Sequence, residues 1–321
     1  MKTHTPKLAL VLGGGGARGL AHIGVLKALE KNNIKVDLVV GTSMGAFVGG
    51  FYAAGISVYE MEEIALSVDR VMVAKMLAPG LSSSGFVDNE RIRKYLKRYL
   101  GELNIEQLQI PFASIATDLI TGEEVIIDKG SLVEAIMASI AIPALFQPVY
   151  HSNRYLIDGG LTNPLPVSAA KKLNAKRIIA VNIAPNPDRI KKRMNDEKNN
   201  AGFSINKTVS LLRARLLREN NNLKLENEKE SSEINNNTHK ADEINTYSPN
   251  AMRTLMQSVS IVENSLITLH LKEAKPDVML SPKVGEFDML AFYKAKELIA
   301  CGEEAALNAY QAIQRILENI K

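Results

Sequence analysis

Two glycine-rich turns, each set between an apolar run and a helical repeat, restrict this chain more than any other feature. The first is Gly13-Gly14-Gly15-Gly16-Ala17-Arg18-Gly19, between Lys7 to Leu12 (KLALVL) and the spaced residues Leu20, Ile23, Leu26 and Leu29. The second is Gly41-Thr42-Ser43-Met44-Gly45, between Lys35 to Val40 and the small-residue stretch Ala46 to Ala54. A nearly continuous apolar run reads as a strand covered on both faces. Strands alternating with helical patterns fold as a parallel sheet between helices. The expected class is therefore α/β. With 321 residues, 46% apolar and 23% charged, the chain can bury the core that such a fold needs.

The rest of the chain continues the alternation. Ile56 to Ala78 reads as helix, Pro79 to Gly85 as loop, and Asn89 to Leu100 as a basic amphipathic helix. Pro111 to Thr117 and Glu124 to Ile127 read as strands joined across Thr121-Gly122. Ser131 is the predicted N-cap of Leu132 to Ile140, with Glu134 at the capping-box position. Tyr155 to Ile157 is a short strand running into Asp158-Gly159-Gly160, and Arg177 to Ile183 is another buried strand. From Pro185 to about Asn250 the composition turns to Asn, Lys and Glu, which reads as a mobile insertion. Within it, 203–218 has an apolar stripe among arginines. That piece suits either packing on the main domain or peripheral membrane contact. Helical patterning returns at Ala251 to Lys275, followed by a strand at Asp277 to Leu280. Two further helices are predicted, Ala291 to Ala300 and Glu303 to Ile320, with a break at Cys301-Gly302.

Gly41-x-Ser43-x-Gly45 has the form of a nucleophile elbow. A serine on a sharp strand-to-helix turn has a strained backbone and needs small neighbours. Taken alone, the same residues also make a tight turn with an N-capping serine. Gly13 to Gly19 admits two readings. Gly14-x-Gly16-x-x-Gly19 fits a dinucleotide turn, but the acidic residue that reading wants, Asp37, sits at the start of the second strand rather than its end. Otherwise the amides of Gly14, Gly15 and Gly16 form an oxyanion hole, with Arg18 orienting the segment. A Walker loop is excluded, because no Gly-Lys-Ser/Thr follows. None of the histidines (His4, His22, His151, His239, His270) has the setting of a triad base. Asp158 ends a strand before two glycines and can act as a lone base if burial raises its pKa.

Other classes find little support. The net charge of +4 does not argue for a nucleic-acid partner. The single cysteine, Cys301, allows no internal disulfide and suits a reducing compartment. There is no pattern of metal ligands. The apolar run after Lys7 is too short for a secretory signal and no run is long enough to span a bilayer. The expected location is cytoplasmic or membrane-peripheral.

The ordered set Gly14 to Gly19 (GGGxRG), Gly41 to Gly45 (GxSxG) and Asp158 to Gly160 (Asp-Gly-Gly) resembles the patatin-like phospholipase family, in particular its bacterial members. Ala138 to Pro143 is similar to the helix that precedes the acid motif there. The resemblance implies a three-layer α/β/α sandwich with a central, mostly parallel sheet. It implies a Ser-Asp dyad with Ser43 as acyl nucleophile and Asp158 as base. Gly14, Gly15, Gly16 and Arg18 would form the oxyanion segment, supported by Gly19, Gly41, Gly45, Gly159 and Gly160. It implies hydrolysis of phospholipid or lysophospholipid esters with no metal or dissociable cofactor. The expected organisation is a catalytic core at 7–184, the insertion at 185–250, and a helical part at 251–321 completing the same domain. A lipid-binding regulatory or adaptor protein with little turnover is the alternative.

Overall fold

The computed structural model describes residues 6–76, 87–185 and 251–318. The loop expected at Pro79 to Gly85, the insertion from 186 to 250, its amphipathic piece 203–218, and His4 and His239 lie outside the described residues.

The first glycine turn joins β1 (Leu8–Leu12) to α1 (Ala21–Lys31), and the second joins β2 (Leu38–Thr42) to α2 (Met44–Ala53). β2 starts three residues later than the apolar run suggests. Asp37 stays outside the strand, and its carboxylate accepts the Leu8 amide at 2.9 Å. Ile56 to Ala78 is split into α3 (Val58–Leu66) and α4 (Arg70–Met76). Then come α5 (Asn89–Leu100), β3 (Phe112–Asp118), β4 (Glu124–Ile127) and α6 (Leu132–Ser139), with Ser131 as N-cap accepting from the Glu134 amide. β5 (Val149–His151), which the sequence pattern did not reveal, makes a hairpin with β6 (Arg154–Asp158). α7 (Val167–Lys172) and β7 (Arg177–Val181) follow. The later part contributes α8 (Ala251–Glu273), β8 (Val278–Leu280), α9 (Ala295–Asn308) and α10 (Tyr310–Glu318).

The strands form one eight-stranded sheet in the order β5-β6-β3-β2-β1-β7-β8, with β4 also on β3. β3, β2, β1, β7 and β8 pair in parallel, whereas β4 and β6 run antiparallel to β3. The alternation of β1 defines the layers. Leu8, Leu10 and Leu12 pack into a core with α1, α2, α3, α5, α6 and α9. Ala9 and Val11 face α7 and α8 through Val167, Ala169, Ala170 and Ile267. The architecture is a three-layer α/β/α sandwich with a mostly parallel sheet.

The registers bring two distant strand ends together. β4 occupies one edge of β3 from Ser114 to Thr117. The other edge is shared: β2 covers Phe112 to Ile115, and β6 covers Ala116 to Asp118 from the opposite direction. β2 and β6 therefore meet end to end, Ser43 following one and Asp158 closing the other.

The expected helix break at Cys301-Gly302 does not occur, and α9 runs through both. Gly302 is there for packing. Its Cβ would overlap the Ala21 carbonyl of α1, and a Cβ on Gly24 would overlap the Ile299 carbonyl of α9. The closeness of the two helix backbones outweighs glycine's unfavourable helix propensity, about 1 kcal/mol.

Candidate active site

Ser43 sits between β2 and α2 at φ 53° and ψ −122°, in a region that costs a non-glycine residue about 1–3 kcal/mol. The turn is tight enough that a Cβ on Gly41 would overlap the Gly45 and Ala46 backbone, and one on Gly45 the Leu12 carbonyl. Gly19 is pressed against Met44 and Gly159 against the Ile115 carbonyl in the same way. The strained turn aims the Ser43 hydroxyl at β6, where it donates to Asp158 Oδ2 at 2.6 Å. Both residues are buried.

Asp158 is fixed from three directions. Its amide donates to the Ala141 carbonyl at 2.9 Å, its carbonyl accepts from Thr117 Oγ1 at 2.9 Å, and Oδ1 accepts the Gly160 amide at 2.7 Å. Burial pushes its pKa up to about 6, with the Ser43 hydroxyl and the Gly160 amide pulling it back down. At neutral pH it is an ionised carboxylate whose proton affinity lies near the working range of a general base.

The glycine turn is more divided than its sequence suggests. The Gly14 amide is already engaged, donating to the Pro164 carbonyl at 2.9 Å, which corrects the expectation that it faces a substrate oxygen. Gly14 instead gives room, since a Cβ there would stand 3.3 Å from the Ser43 Cβ. Gly13 and Ala17 donate to Val181 and Met289 carbonyls. No backbone carbonyl among the described residues takes the Gly15 or Gly16 amide, and Gly16 lines the same pocket as Ser43. Arg18 is buried, and its Nε donates to the Gly15 carbonyl at 3.1 Å while Nη2 donates to Ser260 Oγ at 3.4 Å. Its side chain thus braces the turn from within rather than facing a substrate.

The histidines stand apart from this pair. His22 Nε2 donates to the Gly13 carbonyl at 2.8 Å, Nδ1 has no hydrogen-bond partner among the described residues, and burial lowers its pKa to about 4, so the ring is neutral. His270 Nδ1 bonds Asn163 Oδ1 at 3.3 Å, and His151 ends β5 at the half-exposed edge. Among the described residues no histidine hydrogen-bonds Ser43 or Asp158.

Sequence reasoning missed three polar residues here. Ser139 Oγ, at the end of α6, accepts the Ser43 amide at 2.8 Å. Its signal was the Ala138 to Pro143 stretch, read only as the helix that precedes the acid motif. Ser260 and Glu263 of α8 are both buried, the first against Arg18 and the second against Gly160. Their signal was a polar pair on the inner stripe of a helix otherwise apolar there.

Ser43 opens onto an apolar cavity of about 180 Å³ lined by residues including Phe47, Phe51, Met61, Ile92, Phe146 and Met256. Phe47 and Phe51 stack with ring centres 4.8 Å apart. Carbon atoms line almost the whole cavity, which suits a hydrocarbon chain. Among the described residues, no helix is long and apolar enough to cross a membrane.

Fold and site together place the chain among three-layer α/β proteins that carry a serine on a strand-to-helix elbow. It belongs to the patatin-like phospholipase family, whose profile matches residues 10–171. Relatives at this level include the uncharacterized NTE family protein Rv1063c of Mycobacterium tuberculosis (strain ATCC 25618 / H37Rv), 41% identical over 179 residues, which cover 56% of this chain and 49% of the relative. Patatin-like phospholipase domain-containing protein 6 of Homo sapiens is 35% identical over 182 residues, 55% of this chain and 13% of the relative. The chain thus spans about half the length of the mycobacterial relative and far less of the human one. The crystal structure of VipD from Legionella pneumophila aligns with 99% of this chain and 80% of its own at 14% identity and a TM-score of 0.34.

Proposed function

We propose that this chain is a serine acyl hydrolase acting on lipid esters, phospholipid or lysophospholipid, through a Ser43–Asp158 dyad. One observation carries the reading: a strained serine hydroxyl bonded at 2.6 Å to a buried carboxylate beside an apolar cavity. The acyl chain occupies the cavity and the ester carbonyl stands over Ser43. As Oγ attacks, its proton passes to Asp158, and the carbonyl oxygen takes the negative charge. The amides of Gly15 and Gly16 stabilise that charge, each such donor being worth about 3–4 kcal/mol in the transition state. Collapse of the tetrahedral intermediate breaks the ester bond, and protonated Asp158 returns the proton to the leaving alkoxide. A water then repeats the sequence, giving its proton to Asp158 as its oxygen attacks the acyl-enzyme, and Ser43 leaves with the proton. Family membership supports a lipid substrate, and the carbon-lined cavity supports the acyl part of it.

The test is release of nitrophenol from a short-chain p-nitrophenyl ester. Ser43→Ala and Asp158→Asn should each lower kcat on the order of 10⁴-fold with circular dichroism unchanged. A fluorophosphonate should label Ser43 in the parent chain. No labelling of the folded protein would discard hydrolysis and leave a lipid-binding adaptor.

A further inference from the structure

α8 turns one stripe inward: Met256, Ser260, Glu263 and Ile267 are its buried positions among the described side chains. The two ends of the stripe are apolar, as a packing helix requires. A hydroxyl and a carboxyl occupy its middle. An inward carboxyl at a position where an aliphatic residue would pack costs several kcal/mol unless other groups answer it. Here they do. A Cβ on Gly160 would overlap Glu263 Oε1 and stand 3.1 Å from Asp158 Oδ1, so the two carboxyl groups crowd the same side of Gly160 with no room for a methyl group between them. Arg18, whose charge acts on Glu263, is bonded to Ser260 one turn earlier on the same helix.

We infer that Glu263, together with Ser260, is a positioning residue for the Ser43–Asp158 pair: its carboxyl stands beside that of Asp158 at Gly160, and the same turn of α8 holds Arg18, and through it the glycine turn. This rests on the dyad reading given above. The mechanical link is short. Arg18 Nε fixes the Gly15 carbonyl, and because the peptide is planar the Gly16 amide is fixed with it, pointing the other way. Burial, then the charge of Asp158, push the Glu263 pKa up to about 8, while Arg18 draws it down. At neutral pH the cluster therefore holds one anion, Asp158, and a neutral Glu263. Ionisation above about 8 adds a second buried anion, which competes for the guanidinium and loosens its hold on Gly15. Among the described residues, the charges acting on Glu263 are Asp158 and Arg18. Of the other groups on packed elements, Lys172 of α7 is turned to Glu124, and His270, further along α8, is turned to Asn163.

The test is a carbon-13 titration of glutamate carboxyl groups in the full chain, with Glu263 assigned by difference from Glu263→Gln or Glu263→Asp. Glu263 should ionise near 8. In Asp158→Asn its midpoint should fall by roughly one unit, since the repelling charge is gone. An unmoved midpoint overturns the proposal. This readout needs no turnover, so it stands or falls separately from fluorophosphonate labelling of Ser43, which decides the dyad reading. Kinetics supply the second arm. Glu263→Gln should lower kcat on the order of tenfold or more with KM held, and abolish the loss of kcat at alkaline pH. Glu263→Asp should keep an alkaline inflection. A Gln variant that is merely less stable, with the parent's pH profile, would leave Glu263 a packing residue and refute the role. Should Glu263→Gln not fold, Ser260→Ala carries the kinetic test, with the same fall in kcat expected and an unchanged kcat counting against the proposal.

Discussion

Ser43 and Asp158 share a hydrogen bond but face opposite materials. Ser43 lines a cavity walled by Phe, Met and Ile side chains. Asp158 lies beside Gly160 and Glu263, where a Cβ added at Gly160 would overlap the Glu263 carboxyl and stand 3.1 Å from Asp158 Oδ1. The first environment offers space and almost no polar groups. The second offers polar groups and no space. The proposed roles fit this division: a nucleophile that must admit a substrate would need an open, apolar side, and a base that must keep its proton affinity steady would need a closed side filled with groups that set the local charge.

The sharpest way to break this contrast is to put volume where there is none. Gly160→Ala drives a methyl group between the Asp158 and Glu263 oxygens. We expect kcat to fall about a hundredfold with the fold retained, measured by ester hydrolysis and circular dichroism. A fully active variant would mean that the closed side has slack.

On the open side, added volume should change selection rather than chemistry. Val68 is half-buried and lines the cavity. Val68→Phe should lower kcat/KM for a long-chain p-nitrophenyl ester about tenfold relative to a short-chain one. Equal losses for both esters would show that the acyl chain lies elsewhere.

The smallest expected effect concerns stability. The fold raises the Asp158 pKa from 3.8 to about 6, so it favours the neutral form. That contribution is complete below the unfolded value and is lost as pH rises through the folded one. Asn stays neutral throughout. Asp158→Asn should therefore be more stable than the parent at pH 7, by about 1–3 kcal/mol, and no more stable at pH 3. Urea unfolding at both values checks this. A variant destabilised at pH 7 would show that the charge of Asp158 is well solvated after all.

The two sides also differ in how far they could be read in the chain. Ser43 and its glycines are contiguous, and a strained turn needs its small residues within two positions of the serine. The pattern was legible for that reason. Asp158 was legible through its own local need, two glycines after a strand. Gly14 was misjudged because a glycine turn looks the same whichever carbonyl takes its amide, and only the approach of Pro164 decides. Ser260 and Glu263 escaped notice because Arg18 and Asp158 are more than a hundred residues away in sequence. Gly302 was taken for a break because a glycine in a helix gives the same local signal whether the helix ends or another backbone lies against it.

The amino-acid order by itself determined the alternation of strands and helices, the elbow at Ser43 and the layered class, since these follow from short-range periodicity and backbone strain. Tertiary structure alone decided that β2 and β6 share one edge of β3, which amides of the glycine turn stay open, and which helix closes over Arg18 and Asp158. These depend on register and on contact between segments far apart in the chain, and no local pattern encodes either.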